Sequence, residues 1–185
     1  MEHLWGTQTD LAIGNFPIAR RPLDAQVAHA LAAIKRHAAT VNTSLDVPGV
    51  DDAMAAAIGD AARRVESGEL DDQFPIDVYQ TGSGTSTNMN VNEVLARLAG
   101  DATGLDVNPN DHVNASQSSN DTVPAAIRLA VARALVDDVH PALDVLIAAL
   151  RSLAARTADV VKAGRTHLMD ATPVTVGQEA AAWRP

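Results

Sequence analysis

Apolar residues recur at spacings of three and four along most of this sequence, and this periodicity most constrains how the chain can fold. The clearest stripes lie within residues 27–45, 54–65, 91–98, 127–135 and 143–153. Such spacing brings apolar side chains to one face of a helix, where they can pack against other helices. With 46% hydrophobic but only 3% aromatic residues, the core must be built from alanine and aliphatic side chains. The sequence therefore predicts a mainly α protein with closely packed helices.

Turn-forming and capping residues set approximate bounds for the first helices. Pro22 suits the first turn of the first helix, and the Pro-Gly pair at 48–49 ends it. The acidic pair at 51–52 suits the start of a second helix, and Gly68 lies just after its end. A third helix is predicted to end at Gly100.

The segments between the helices carry less regular patterns. Residues 1–20 have no clear period and predict an irregular arm, whereas alternation over residues 74–78 predicts a short extended piece. Residues 101–115 are rich in Asp, Asn, Gly and Pro, which predicts a long loop and a domain boundary. Further along, we expect another loop over residues 163–173 and a helix that begins near Thr175.

Charge and composition exclude several classes of function. The formal net charge of −9 and the lack of a basic run argue against nucleic-acid binding. Without cysteine, the chain cannot form disulfides, zinc–thiolate sites or cysteine-ligated iron–sulfur clusters. The start of the chain is not basic, and no apolar stretch is long enough to cross a membrane. We therefore expect no signal peptide, no membrane contact and a cytoplasmic location.

Three blocks of small polar residues are the strongest functional signal. They cover residues 81–86, 116–121 and 164–167, and each lies beside an apolar helical segment. Together they offer many neutral hydrogen-bond donors and one imidazole, that of His167. These groups are suited to a pocket that binds a small carboxylate without the help of a metal ion. No metal site is predicted, because the Asp-His pair at 111–112 is adjacent and no second pair is spaced to join it.

Each block also has a structural interpretation. The first block offers glycine N–H groups and the hydroxyls of Ser83 and Thr85 to a ligand, but a block of this kind, taken alone, more often forms a tight turn before a helix. The second block could cap a helix or bind an anion at the helix N-terminus, and these two roles are compatible. His167 could transfer a proton or could be a structural histidine.

In order along the chain, the three blocks resemble the signatures of the class II fumarase/aspartase superfamily. The matching segments are Thr81–Val94, Pro109–Asn114, Ser116–Asp121 and Gly164–Ala171, with Pro173 and Gly177–Glu179 behind them. The segments Trp5–Thr9 and Asn15–Ile18 fit as well, so the resemblance runs over nearly the whole chain. Aspartases usually carry glutamine where His167 stands, and the chain for this reason resembles the fumarases more closely.

This resemblance implies both a fold and an activity. The fold is an N-terminal, mostly helical domain over residues 1–115, followed over residues 116–185 by the first helices of an incomplete central long-helix bundle. The protein would be a homotetramer whose active sites are assembled from three subunits. It would hydrate fumarate reversibly to (S)-malate and would need no cofactor.

The resemblance also assigns roles by position. The substrate carboxylate would be held by Ser83, Thr85, Ser118, Ser119, Asn120 and Thr166. His167 would orient or protonate the departing water. A second, non-catalytic dicarboxylate site would include Asn108, Asn110 and Asp111, although the family usually has histidine where Asn108 stands.

The resemblance further implies that part of the catalytic machinery lies elsewhere, because family members are much longer than 185 residues. The flexible loop with the catalytic serine, and the lysine and asparagine that neutralise the substrate, would lie beyond Pro185. We interpret the chain as a truncated product, a frameshift or a fragment. We therefore expect that the isolated chain does not hydrate fumarate. The alternative is a non-catalytic remnant that binds dicarboxylate or associates with a full-length homologue. A related lyase acting on aspartate or argininosuccinate is a third hypothesis.

Overall fold

The structure is a computed structural model that describes residues 3–184. Contacts divide the chain into two compact units, one ending at Val131 and one beginning at Ala132. Within the described residues, seven α-helices and one antiparallel pair of strands form most of the regular structure, which confirms the mainly α prediction. The domain boundary between residues 115 and 116 stays a prediction.

The first unit consists of four helices and most of a fifth. Their bounds are Thr7–Asn15 for α1, Ala25–Ser44 for α2, Asp52–Glu66 for α3, Thr85–Thr103 for α4 and Ser119–Ala134 for α5. A 3-10 turn at Asp71–Gln73 and a π turn at Pro109–Val113 lie between them. The core lies where α2, α3 and α4 meet, and Leu31, Ile58 and Leu95 are fully buried in it.

Capping side chains explain where α2 and α3 begin. The Asp24 carboxylate accepts a hydrogen bond from the Gln26 N–H at 3.0 Å, just ahead of α2. The Asp51 carboxylate accepts one from the Met54 N–H at 2.8 Å, which confirms the predicted acidic start of the second helix. The placement of Pro22 in the first turn of α2 is wrong, because Asp24 caps that helix and Pro22 lies outside it in an isolated β-bridge.

A helix occupies part of the arm that the sequence predicts to be irregular. Its N-cap residue is Gly6, which has no side chain to cap α1. The Glu93 carboxylate of α4 supplies the cap, accepting hydrogen bonds from the N–H groups of Gly6 and Thr9 at 3.0 and 3.1 Å. The irregular-arm prediction is therefore wrong, because the capping carboxylate lies 84 residues from Thr9 in the sequence.

Helix α4 continues past Gly100, where the sequence predicts its end. Gly104 provides the stop instead, with a φ of +75° and an N–H that donates to the Gly100 carbonyl at 2.8 Å. Glycine is favoured there because L side chains rarely adopt this left-handed backbone. The predicted loop over residues 101–115 is consequently shorter, and the π turn at Pro109–Val113 gives part of it regular structure.

The second unit contains a strand hairpin that the sequence predicts to be a loop. Its elements after α5 are a π turn at Leu135–Val139, α6 at His140–Arg156, β1 at Val161–Thr166, β2 at Met169–Thr175 and α7 at Val176–Ala182. The strands pair antiparallel, with Thr166 opposite Met169. His167 and Leu168 form the turn, with φ values of +53° and +60°. The loop prediction is wrong because this turn contains neither the Gly nor the Asn that normally marks a two-residue hairpin.

Helix α7 begins where the sequence predicts a helix. The Thr175 hydroxyl accepts a hydrogen bond from the Gln178 N–H at 3.0 Å, and the Gln178 side-chain carbonyl accepts one from the Thr175 N–H at 2.9 Å. This reciprocal pair satisfies two backbone donors that would otherwise have no partner at a helix start.

Candidate functional site

Hydroxyl groups of the first two polar blocks meet in the structure. Ser83 Oγ and Thr85 Oγ1 are 2.7 Å apart, and Thr85 Oγ1 and Ser119 Oγ are 3.0 Å apart. Either oxygen of each pair can donate the hydrogen, so this hydroxyl chain of three residues can turn hydrogens toward a ligand. The structure thus brings together three of the residues that the family resemblance assigns to the substrate carboxylate.

The hydroxyl chain lies where two helices begin, since Thr85 is the first residue of α4 and Ser119 is the first residue of α5. Free N–H groups at a helix start carry partial positive charge and favour an anion. Gly84 permits this close approach, because its φ is +69° and a Cβ there would lie 2.7 Å from Val123 Cγ1. A side chain at position 84 would therefore push the two helix starts apart.

A cleft of about 550 Å³ opens beside the hydroxyl chain. Ser83 and Asn120 contribute polar lining from the two blocks, while Val123 and Ile127 contribute apolar lining. Both the volume and this mixture of surfaces suit a small ligand with polar ends. A further cleft of about 480 Å³ lies beside Glu93 and contains none of the assigned site residues.

The other assigned residues of the second block differ in their positions. Asn120 is exposed and lines the cleft. Ser118 is exposed but does not line it, and its carbonyl accepts the N–H groups of Asp121 and Thr122 at 3.0 and 2.9 Å in the first turn of α5. Ser118 therefore contributes to the helix start in this structure.

The residues assigned to the second dicarboxylate site lie around the π turn at Pro109–Val113. The Asn108 side-chain carbonyl accepts the N–H groups of Asn110 and Asp111 at 2.8 and 3.0 Å. The Asn108 N–H in turn donates to His112 Nδ1 at 2.9 Å. Asn108 thus acts as a cap for the turn, and dicarboxylate binding by these three residues stays a prediction.

Thr166 and His167 belong to the second unit. Thr166 ends β1, and His167 is the first residue of the hairpin turn, where it is exposed. The Arg165 guanidinium and the Asp170 carboxylate form an ion pair of 3.3 Å across the two strands beside the turn. The hairpin therefore presents the imidazole at its tip, and the roles assigned to Thr166 and His167 stay predictions.

Sequence reasoning missed a buried polar network next to the second block. Lys35 of α2 is fully buried, and its ammonium donates to the side-chain carbonyls of Asn114 and Gln117 at 3.2 and 3.3 Å. Burial lowers the pKa of Lys35 from 10.5 to about 7, because removal from water disfavours the charged form. The available signal was position: Lys35 lies four residues after Leu31, on the apolar face of its helix.

The described residues show no arrangement typical of a metal centre or a membrane span. Across residues 3–184, no three His, Asp or Glu side chains are grouped as they would be around a metal ion. No helix in the same part of the chain combines the length and the apolarity that crossing a membrane requires. The polar side chains at the cleft are hydroxyls and amides, which can bind a carboxylate through hydrogen bonds.

Comparison with known proteins relates the whole chain to one family. A family model described as a lyase matches residues 1–185. The class II fumarate hydratase of Halobacterium salinarum is 51% identical over 185 residues, which cover 97% of this chain and 39% of that protein. The class II fumarate hydratase of Corynebacterium glutamicum is 51% identical over 176 residues, which cover 95% of this chain and 37% of that protein.

Solved structures give the same relationship in three dimensions. The class II fumarase of Schistosoma mansoni matches with a TM-score of 0.87 and 41% identity, over 99% of this chain and 40% of that one. A fumarate lyase:delta crystallin from Brucella melitensis matches with a TM-score of 0.90 and 41% identity, over 99% of this chain and 44% of that one. The chain spans about 40% of the length of the curated relatives it matches. These findings confirm the resemblance that the three polar blocks indicate.

Proposed function

We propose a function from the premise that this chain belongs to the lyase family whose model matches residues 1–185. The reaction we propose for the whole protein is the reversible trans-hydration of fumarate to (S)-malate. In the direction from malate to fumarate, a base removes a proton from the carbon beside one carboxylate, and the resulting aci-carboxylate group, which carries two negative charges, must be stabilised until hydroxide leaves. The described chain would supply the part of the site that binds a substrate carboxylate.

The hydroxyl chain is the observation that carries this proposal. Three hydroxyl groups from two separate signatures form a chain at the start of two helices, with neighbouring oxygens 2.7 and 3.0 Å apart. A carboxylate can accept several such hydrogen bonds, and those to a charged acceptor are stronger than those between neutral groups. Local dipoles are needed here, because the chain as a whole carries a formal net charge of −9 and would repel an anion at long range.

The remaining assigned residues would complete the site. Asn120 would donate its amide to the same carboxylate, with Ser118 beside it. Thr166 would join them, and His167 would orient or protonate the departing water. We propose in addition that the whole protein is a homotetramer, as the resemblance to fumarases implies, and that it acts in the cytoplasm.

We propose that the isolated chain does not turn over fumarate. It spans 37% to 40% of the curated relatives it matches, and the resemblance implies that the family's catalytic serine loop would lie outside the matched part. Lack of a catalytic base and its electrostatic partners costs about two to four powers of ten in rate for each such function. Steady fumarate hydration by the purified chain, followed as loss of fumarate absorbance, would contradict this part of the proposal.

The same incomplete coverage favours a second candidate, a non-catalytic remnant that binds dicarboxylate or associates with a full-length homologue. Helix α6 supports association, because none of its residues is buried in this structure. Coexpression with a tagged full-length relative separates the two candidates. A stable complex in stoichiometric amounts supports the remnant, and independent purification of the two chains contradicts it.

The binding proposal predicts a specific effect of one hydroxyl. Thr85→Val removes the central oxygen of the hydroxyl chain, so we expect fumarate affinity to fall about tenfold, since a hydrogen bond to a charged group is worth about 1.5–3 kcal/mol. Isothermal titration of the purified chain with fumarate measures this loss. Thr7→Val is the matched control, because Thr7 is also an exposed threonine at the first position of a helix. Equal affinity in the two variants would refute a role for the hydroxyl chain.

A further inference from the structure

Lys35 is buried in an unusual way, since no carboxylate balances its charge. Its side chain is 0% exposed, and its two polar contacts are the neutral carbonyls of Asn114 and Gln117. None of the ion pairs among residues 3–184 includes Lys35. A buried group of this kind is costly to the fold, and apolar side chains of similar length would fill the same space. Its presence therefore calls for a role other than packing.

The contacts of Lys35 reach the start of the second polar block and the residues just before it. Asn114 Oδ1 also accepts a hydrogen bond from Asn88 Nδ2 of α4 at 3.1 Å. Gln117 Nε2 donates to the carbonyls of Val113 and Ala115 at 2.9 and 3.2 Å. Lys35 thus ties α2 to a network of amides that also includes α4 and folds residues 113–117 back on themselves.

This segment adopts a backbone that needs support. Ser116 has a φ of +60°, a left-handed conformation that costs an L residue free energy. Asn42 of α2 holds the same stretch from a second point, because its side-chain amide donates to the Ala115 carbonyl at 3.0 Å. Two residues after Ser116 the chain reaches Ser118, and Ser119 then joins the hydroxyl chain.

We propose that Lys35 is a positioning residue for the carboxylate site: it fixes residues 113–117 so that Ser119 stays in the hydroxyl chain and Asn120 lines the cleft. This inference rests on the proposed function, because it gives Lys35 a purpose through the residues that would hold the substrate. Lys35 itself does not touch the cleft. Burial also lowers the pKa of Lys35 to about 7, and its amine can still donate two hydrogen bonds when neutral.

The test is the substitution Lys35→Met, which keeps the length of the side chain and removes its donors. We expect the variant to fold, because replacing an unpaired buried charge by an apolar group is often neutral or stabilising. We also expect amide hydrogen exchange to quicken at least tenfold over residues 113–120 and fumarate affinity to fall about tenfold. Exchange within α3 should not change, and this separates local loosening from a general loss of stability.

Lys162→Met is the matched control, because Lys35 and Lys162 are the two lysines of the sequence and Lys162 lies on the surface paired with Glu179. It should change neither exchange over residues 113–120 nor fumarate affinity. If Lys35→Met fails to fold, Gln117→Met serves as the second variant, since it removes an acceptor of Lys35 and should loosen the same residues.

The outcomes distinguish this inference from the proposed function. Unchanged exchange over residues 113–120 in Lys35→Met, or in the second variant if that is needed, overturns the positioning role. Faster exchange over residues 113–120 with unchanged fumarate affinity also overturns the positioning role, because the order of these residues would then not affect substrate binding. Failure of the unsubstituted chain to bind fumarate counts against the proposed function instead, and the exchange measurement then decides alone whether Lys35 orders residues 113–120.

Discussion

At the scale of the residue, surroundings decide what a side chain can do. Lys35 and Lys162 are the same amino acid, yet one is fully buried among amides and the other forms a surface ion pair of 2.6 Å with Glu179. Removal from water disfavours the ammonium and lowers the pKa of Lys35 to about 7. The sequence alone showed only that Lys35 lies on the apolar face of a helix.

The lowered pKa predicts how stability depends on pH. Between pH 7 and 10.5 the folded chain has lost the Lys35 proton and the unfolded chain keeps it. Folding therefore gains free energy as the pH rises through that window, and below pH 7 it carries the full cost of the buried charge. Denaturant unfolding can be measured at one pH inside the window and at one pH below it. In the unsubstituted chain the free energy of unfolding should be larger at the higher pH, and Lys35→Met should lack this difference. The same pH dependence in both proteins would contradict the assignment.

The candidate site was only partly predictable at this scale. Small polar residues before apolar stripes indicated loops at helix starts, and the structure places Thr85 and Ser119 there. That their hydroxyls lie 3.0 Å apart could not be predicted from pattern, because the residues are 34 positions apart and the approach depends on how α4 packs against α5. The amide network around Lys35 escaped prediction for the same reason.

At the scale of the element, local signals gave α3 and α7, because their caps lie within three residues of the helix start. The apolar stripe gave α2, although the predicted start at Pro22 missed the Asp24 cap. Helix α1 was missed because its cap is the distant Glu93 carboxylate. The hairpin was missed because its turn residues are unusual for positive φ. Where a helix or turn is stabilised by a residue far along the chain, the hydrophobic periodicity and the local propensities of the sequence do not reveal it.

The unusual turn leads to a prediction about the hairpin. Leu168 has a φ of +60° and is fully exposed, so Leu168→Gly should relieve strain without losing a contact, worth about 1 kcal/mol. We expect slower amide exchange in β1 and β2 and no change in α6. Met169→Gly, one residue later and inside β2, should have the opposite effect because glycine weakens a strand. Faster exchange in Leu168→Gly than in the unsubstituted chain would show that the turn is not strained.

At the scale of the whole molecule, exposed apolar side chains are the main feature of the second unit. Leu143, Val145 and Leu146 of α6 are 47%, 73% and 52% exposed. Leu143 and Leu146 are three residues apart and therefore share one face of the helix, and an exposed apolar face marks an interaction surface or an aggregation liability. The family resemblance implies that this region belongs to a central bundle of long helices.

We therefore expect the chain to self-associate through α6. Replacing both Leu143 and Leu146 by Glu should lower the average mass in sedimentation equilibrium toward that of the 19.3 kDa monomer, because charge at an apolar interface is not solvated. Arg151→Glu, an exposed change on the same helix, should leave the average mass as it is. A monomeric unsubstituted chain at all concentrations would contradict the prediction.

Fumarate titration of the nitrogen-15-labelled chain tests most directly whether the first two polar blocks form one carboxylate site. We expect saturable shifts of the backbone amide signals of Ser83, Thr85, Ser119 and Asn120, and no shift of the amide signals of α3. Loss of saturation in Thr85→Val but not in Thr7→Val would strengthen that assignment. No saturable shift at all, or shifts confined to residues around Asn108, would contradict it.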